Sequence, residues 1–182
     1  EMFFQRLTNI FPKYLKINDL FFIRLHADEA MKVFKMTKEL HLSRVHRAAA
    51  NELNEHYCRR WVSINAIKQL RTRRQLDASV HLVCDAQISK YWETELEYLV
   101  LTIAKPHSSN PKESISVTIG ILLTENVRRL FKFLNDPNLP AKLVNTTCER
   151  CSMPDCGSRA VAPFVIERQN ELRDVEAALQ SL

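Results

Sequence analysis

The chain has 182 residues, 46% of them apolar, a formal charge of +5, five cysteines and only two glycines. This suffices for one domain with a real core and is too apolar for a disordered chain. The scarcity of glycine excludes a glycine-rich phosphate loop, a dinucleotide fingerprint and a nucleophile elbow, and with them the P-loop, Rossmann and α/β-hydrolase classes.

Glu1-Met2-Phe3-Phe4 has no basic n-region, so it does not read as a signal peptide. No run of about 18 apolar residues occurs, so no membrane span is expected. From Lys13 to Lys105 there is neither glycine nor proline, which predicts long elements with few tight turns. Leu20–Leu25 reads as a strand or the opening of a buried helix. Ser43 is a candidate N-cap, and Val45, Ala49, Leu53 and Tyr57 fall four apart, predicting a helix that runs past Cys58 towards Thr72. Val80–Cys84 and Leu96–Ile103 read as strands. After the polar loop Pro106–Pro111, Ser114–Ile121 alternates strictly, with Ile115, Val117, Ile119 and Ile121 on one face. Two strands around one polar loop predict an antiparallel hairpin. Thr124 caps a helix carrying Val127, Leu130, Phe131 and Leu134, which Pro137 and Pro140 end. Leu172, Val175, Leu179 and Leu182 then mark a C-terminal amphipathic helix, for core packing or for a partner helix. The predicted class is α+β, an antiparallel sheet with flanking helices in the manner of PAS or GAF modules. Residues 1–140 form the main domain; 141–182 add a cysteine knuckle and a helix packed on the same domain.

Two constellations carry chemistry. The first is Cys148-Glu-Arg-Cys151-Ser-Met-Pro-Asp-Cys156. Its C-x2-C-x4-C spacing, with Pro154-Asp155 inside and Gly157 after it, suits a knuckle loop that turns three sulfurs to one zinc ion or iron–sulfur cluster. Three ligands are one short of a closed site. Cys84, in a strand, is a candidate for the fourth. Cys58, on a helix beside arginines, is another, and Asp155 or a histidine is a third option. An odd cysteine count with three clustered favours a reducing, cytoplasmic compartment over a disulfide framework. The second constellation is the acid-free stretch between His56 and Leu76, which holds Arg59, Arg60, Lys68, Arg71, Arg73 and Arg74. Arginine forks suit phosphates, and Trp61 and Tyr57 offer rings for a planar group. The bland alternative is a solvated helix face. His26-Ala-Asp-Glu29 lacks the second histidine of a zinc protease, and no carboxylate pair or Ser/His/Asp set stands out, so an enzyme is not expected.

Cys148-x-x-Cys151-x-x-x-Asp155-Cys156-x-x-Arg159-Ala160-x-x-Pro163 resembles the cysteine signature closing one group of bacterial Xre-type transcription factors. Val117-Thr-Ile-Gly-Ile-Leu-Leu followed by Val127-Arg-Arg-Leu130 looks like the strand–helix step that precedes it there. The resemblance implies an effector-sensing domain whose DNA-binding helix-turn-helix lies N-terminal to Glu1, acting as a homodimer. It implies control of short-chain fatty-acid and glyoxylate-type carbon use, an acyl-coenzyme A effector, and a metal or iron–sulfur centre on Cys148, Cys151 and Cys156; taken with the basic run, the expected effector contacts are Arg59, Arg60, Trp61, Arg71 and Arg74, and Cys84 is the expected fourth ligand, with Cys58 still open. The family often has a cysteine at the end of the last strand, where this chain has Leu122 and Leu123. A metal-stapled dimerisation or protein-interaction module without a small-molecule ligand is the alternative. A deep arginine-lined pocket would favour the sensor; a filled core with an exposed Leu172/Val175/Leu179 seam would favour the module.

Overall fold

A computed structural model describes residues 1–42 and 55–180. The chain is α+β. Helix α1 (Met2–Ile10) runs through a wider turn (Phe11–Leu15) into strands β1 (Leu20–Ala27) and β2 (Phe34–His41). Helix α2 (Val62–Leu76) precedes β3 (Val83–Tyr91), β4 (Glu97–Pro106) and β5 (Ser114–Leu122). Helix α3 (Glu125–Leu130), a 3-10 turn (Lys132–Asn135), β6 (Ala141–Val144) and α4 (Phe164–Gln180) complete the order.

The strands form one sheet in the order β2-β1-β5-β4-β3-β6. The four pairings among β1–β5 are antiparallel, whereas β6 runs parallel to β3, so the sheet is mixed rather than wholly antiparallel. The expected hairpin is β4–β5, in register from Tyr98↔Leu122 to Pro106↔Ser114. Helices cover both faces. On one, α2 buries Ile64, Ala66, Ile67 and Leu70 against Phe21, Ile23, Leu25, Tyr98 and Val100. On the other, Phe4 of α1 and Val127 of α3 pack on Phe22, Leu99, Ile119 and Ile121. The central strand β5 is therefore buried on both sides from Ser114 to Ile121. Its small residues face α2, where the Phe21 ring lies on Gly120 so closely that a Cβ there would stand 2.1 Å from Cζ. Thr102 and Thr118 pair their hydroxyls at 2.7 Å within the same layer.

Several expectations are corrected, and part of one falls outside the described residues. The candidate N-cap Ser43 and the helix face Val45, Ala49 and Leu53 lie outside the described residues. Tyr57 and Cys58 are described and are not helical. Tyr57 pairs with Thr147 as an antiparallel bridge, and α2 starts only at Val62, after Trp61 in extended conformation. The β3 strand begins at Val83 rather than Val80. Thr124 does cap α3, its Oγ1 accepting from Val127 N at 3.3 Å, but the helix stops at Leu130 and tightens into the 3-10 turn. The C-terminal helix exists, yet α4 buries no side chain, so its Leu172/Val175/Leu179 stripe is not core.

Candidate functional site: the cysteine knuckle

The knuckle is docked onto the segment leading into α2. Cys58 N donates to Thr146 O at 3.0 Å and Cys148 N to His56 O at 2.8 Å, flanking the Tyr57↔Thr147 pair. In such a ladder Cys58 and Cys148 are diagonal neighbours on one face, a separation of roughly 7–8 Å or less between Cβ atoms. Tyr57 and Thr147 take the other face.

Two buried carboxylates pin this junction. Glu149 accepts from His56 N at 2.9 Å, and its Oε1 lies 2.8 Å from His56 Nδ1. Glu55 accepts from Thr147 Oγ1 at 2.8 Å and from Arg150 Nε at 2.9 Å. Burial alone would raise the Glu55 carboxyl, but the hydrogen bonds from Arg150 and Thr147 and the Arg150 charge outweigh it and hold it below its ordinary value. At the far end, Trp92 Nε1 donates to Ser152 Oγ at 2.8 Å, and Ser152 donates to Glu93 Oε1 at 2.7 Å.

Arg159 organises the loop from within. Its Nη1 donates to the carbonyls of Cys148 and Cys151, both at 3.1 Å, and Nη2 donates to Met153 O. Asp155 adopts the left-handed conformation at φ 47°, which short polar side chains tolerate, and this turns the chain back between Pro154 and Cys156. Ala160 N approaches Cys148 Sγ at 3.4 Å.

The outcome is one small cavity whose wall includes Cys58, Cys148, Cys151 and Cys156 together with Arg59, Arg60, Met153 and Arg159. Cys58, Cys148 and Cys151 are buried and Cys156 is half-buried. Space for water centres inside it is about 10 Å³, the size of a single water-sized occupant. Burial pushes the Cys58 thiol up; backbone hydrogen bonds at Asn145 and Arg60 oppose this, and Cys148 and Cys151 as like charges add to it. Among the described residues, no group of three or more His, Cys, Asp or Glu stands in a metal-holding arrangement, so the sulfurs share a cavity without meeting at one point. Four thiols, three of them buried, are the donor type and number that a thiophilic ion requires.

Cys84 is not in this wall. It is exposed on β3 opposite Ile103 and lines a groove with Phe4, Leu101 and Phe133, on the α1 side of the sheet. Its neighbour Asp85 faces α2, accepting from Gln69 at 2.8 Å, and side chains alternate along a strand.

The basic set is not gathered into one site. Arg59 lies over the Phe34 ring at 4.6 Å and donates to Lys32 O at 3.2 Å. Arg60 turns the other way, its Nη1 3.4 Å from Leu143 O and 3.1 Å from Met153 Sδ. Arg71, on a later turn of α2, donates to Lys112 O at 2.9 Å, and Arg74 is half-buried one turn beyond. Trp61 is buried, stacks on Tyr57 at 5.3 Å and donates Nε1 to Asn145 O at 2.8 Å. These two rings stack on each other instead of offering a platform to a ligand.

The sequence left Glu55, Glu149, Arg150 and Arg159 without roles. Their presence between and beside the cysteines was visible; the partners of Glu149 and Arg150 lie across the fold and carry no local signal. Comparison with family models, with curated proteins and with solved structures gives no match. No helix among the described residues is long and apolar enough to cross a membrane.

Proposed function

We propose that this chain is the effector-sensing domain of a bacterial transcription factor, a cytoplasmic regulator rather than an enzyme, with the cysteine cavity as its metal centre. The observation that carries the reading is the placement of Cys58 with the three knuckle cysteines on the wall of one small cavity. It gives physical substance to a motif that resembles the cysteine signature of Xre-type regulators of short-chain fatty-acid use. DNA would be bound by a helix-turn-helix outside this chain, and the regulator would act as a homodimer.

The effector that the resemblance implies is a short-chain acyl-coenzyme A. The cavity between α2 and the sheet, beside Trp61 and Tyr91, has about 20 Å³ of space for water centres, too little for an acyl chain. A surface groove beside β2 suits an anionic ligand better. It measures about 820 Å³, and its described lining includes Lys32, Lys35, Lys38 and Arg59, with Glu39 and Glu55 also on the wall. The phosphates would then meet Arg59 and the β2 lysines rather than Arg71 and Arg74. Thermal shift and calorimetry with acetyl- and propionyl-coenzyme A at low salt test this. Binding that weakens with salt and with Lys35→Glu is expected. No heat and no shift with any acyl-coenzyme A, in chain with its full metal content, would remove the effector reading.

A second reading, a metal-stapled dimerisation module, is favoured by a different observation: Leu172, Val175 and Leu179 of α4 are exposed by 57%, 57% and 65%. Sedimentation decides it. A concentration-dependent dimer that Leu179→Glu converts to a folded monomer supports the module, and a wild-type monomer at high concentration removes it.

A further inference from the structure

We propose that α1 of one chain docks on α4 of a second copy, the exposed apolar stripe of a basic helix receiving the exposed apolar stripe of an acidic one. The proposal rests on the reading of the chain as a homodimer and names the two surfaces that meet.

Periodicity supplies the first argument. Helix α1 and the wider turn that continues it carry two apolar stripes side by side. Phe4 and Phe11 are buried in the core on that side of the sheet, with Thr8 buried between them. One position before each, Phe3 and Ile10 are exposed by 64% and 41%, and Tyr14 beyond them by 67%, with Leu7 half-buried in the same line. Spacings of four, three and four put all four on one helical face. On α4, Leu172, Val175 and Leu179 form a second such face, and that helix buries no side chain. Neither stripe is covered among the described residues, and a contiguous exposed apolar stripe marks an interaction surface.

Charge decides which stripe meets which. From Met2 to Ile17 there is no acidic residue, while Arg6, Lys13 and Lys16 are exposed. Arg6 and Lys13 flank the stripe, immediately before Leu7 and Tyr14. Helix α4 has the opposite balance: the four acids Glu167, Glu171, Asp174 and Glu176 against the two arginines Arg168 and Arg173, a net charge of −2. Glu171 and Glu176 flank its stripe, immediately before Leu172 and after Val175. Pairing α4 with α4 would set acids against acids, and α1 with α1 would set cations against cations. Pairing α1 with α4 brings unlike flanks together, and like-charge juxtaposition is what suppresses the wrong pairings.

Length and symmetry supply the third argument. Helix α1 has 9 residues and its continuation 5, against 17 in α4, so the two surfaces are of similar extent. Two such contacts about a two-fold axis use both stripes of both chains and close the assembly. An anionic lipid surface would suit the α1 stripe and its cations, but it would repel the acidic α4 and leave that stripe bare. A second copy covers both.

The test is sedimentation of the reduced chain over a range of concentrations at low salt. Wild type is expected to associate, and Phe3→Glu and Leu179→Glu are each expected to raise the dissociation constant at least about tenfold, a desolvated or like-charge contact being worth that much. An equimolar mixture of the two variants associates again, because one contact keeps a native α1 against a native α4. Leu76→Glu, at the exposed end of α2, leaves association unchanged. Added salt weakens the wild-type assembly by screening the unlike flanks. Circular dichroism establishes that each variant is folded; if Phe3→Glu is not, Lys13→Glu, at an exposed cation beside the same stripe, takes its place and is expected to weaken association. A dimer that Leu179→Glu breaks and Phe3→Glu spares, or a variant mixture that stays monomeric, overturns the contact and leaves the homodimer reading standing. Wild type that stays monomeric at high concentration removes both. A monomer that binds phosphatidylserine vesicles through Phe3 assigns the α1 stripe to lipid and overturns the contact too.

Discussion

Helices α2 and α4 have similar lengths, 15 and 17 residues, and opposite fates. The first buries Val62, Ile64, Ala66, Ile67 and Leu70 against the sheet, although its apolar and basic residues do not separate into clean arcs. The second shows a regular stripe of Leu172, Val175 and Leu179, yet it buries none of them; its first turn is tied to the knuckle through Val165 N to Glu149 O at 3.2 Å. Periodicity alone ranks them the wrong way round. A helix is buried by what the topology sets opposite it, and here the sheet faces are already taken, by α2 on one side and by α1 and α3 on the other.

Substitutions sharpen this contrast. Leu70→Ala removes a side chain with no exposed surface from the α2 layer and should cost about 2–5 kcal/mol, read from urea denaturation. Gly120→Ala inserts a methyl where the Phe21 ring leaves no room, on the same layer, and should cost about 1–3 kcal/mol by overpacking. If either change is neutral, the packing of α2 on β5 is not as described. The knuckle should respond at an intermediate level. Arg150→Ala removes the hydrogen-bonding partner of the buried Glu55 and should cost about 1–3 kcal/mol, toward the lower end because Arg150 itself is 42% exposed. This pair also sets a pH dependence. The folded Glu55 carboxyl lies below its ordinary value, so its contribution is complete above the usual carboxylate range and is lost as pH falls through the lowered value. Stability measured from neutral to acid pH should therefore fall less steeply in Arg150→Ala than in wild type. Leu172→Ala on α4 should change monomer stability by no more than about 0.5 kcal/mol. A cost as large as that of Leu70→Ala would mean that α4 is packed after all.

Legibility followed the kind of signal each element carries. Strands β4 and β5 and their hairpin were readable from apolar runs and strict alternation, β1 only as a strand or the opening of a buried helix, and Thr124 announced α3. Strand β2, Phe-Lys-Met-Thr-Lys-Glu-Leu-His, was not, because it is an edge strand in which Phe34 alone is fully buried. The short parallel β6 exists through its pairing with β3, from Ile88↔Ala141 to Tyr91↔Val144, and has no pattern of its own. Three of the cavity cysteines were readable from their spacing. That Cys58 and not Cys84 joins them in the cavity wall was not, since it follows from the pairing of residues 56–58 with 146–148, far apart in the chain. The arginines from Arg59 to Arg74 looked like one patch because they are close in sequence; Arg59 and Arg60 precede α2 while Arg71 lies on it, and the three end against different neighbours.

X-ray absorption at the metal edge of anaerobically purified chain tests the central claim most directly, that the cysteine cavity is a metal centre. The account predicts bound metal, zinc or an iron–sulfur cluster, with sulfur neighbours at roughly 2.3 Å. A folded chain that carries no metal, with all five cysteines titrating as free thiols, would contradict it.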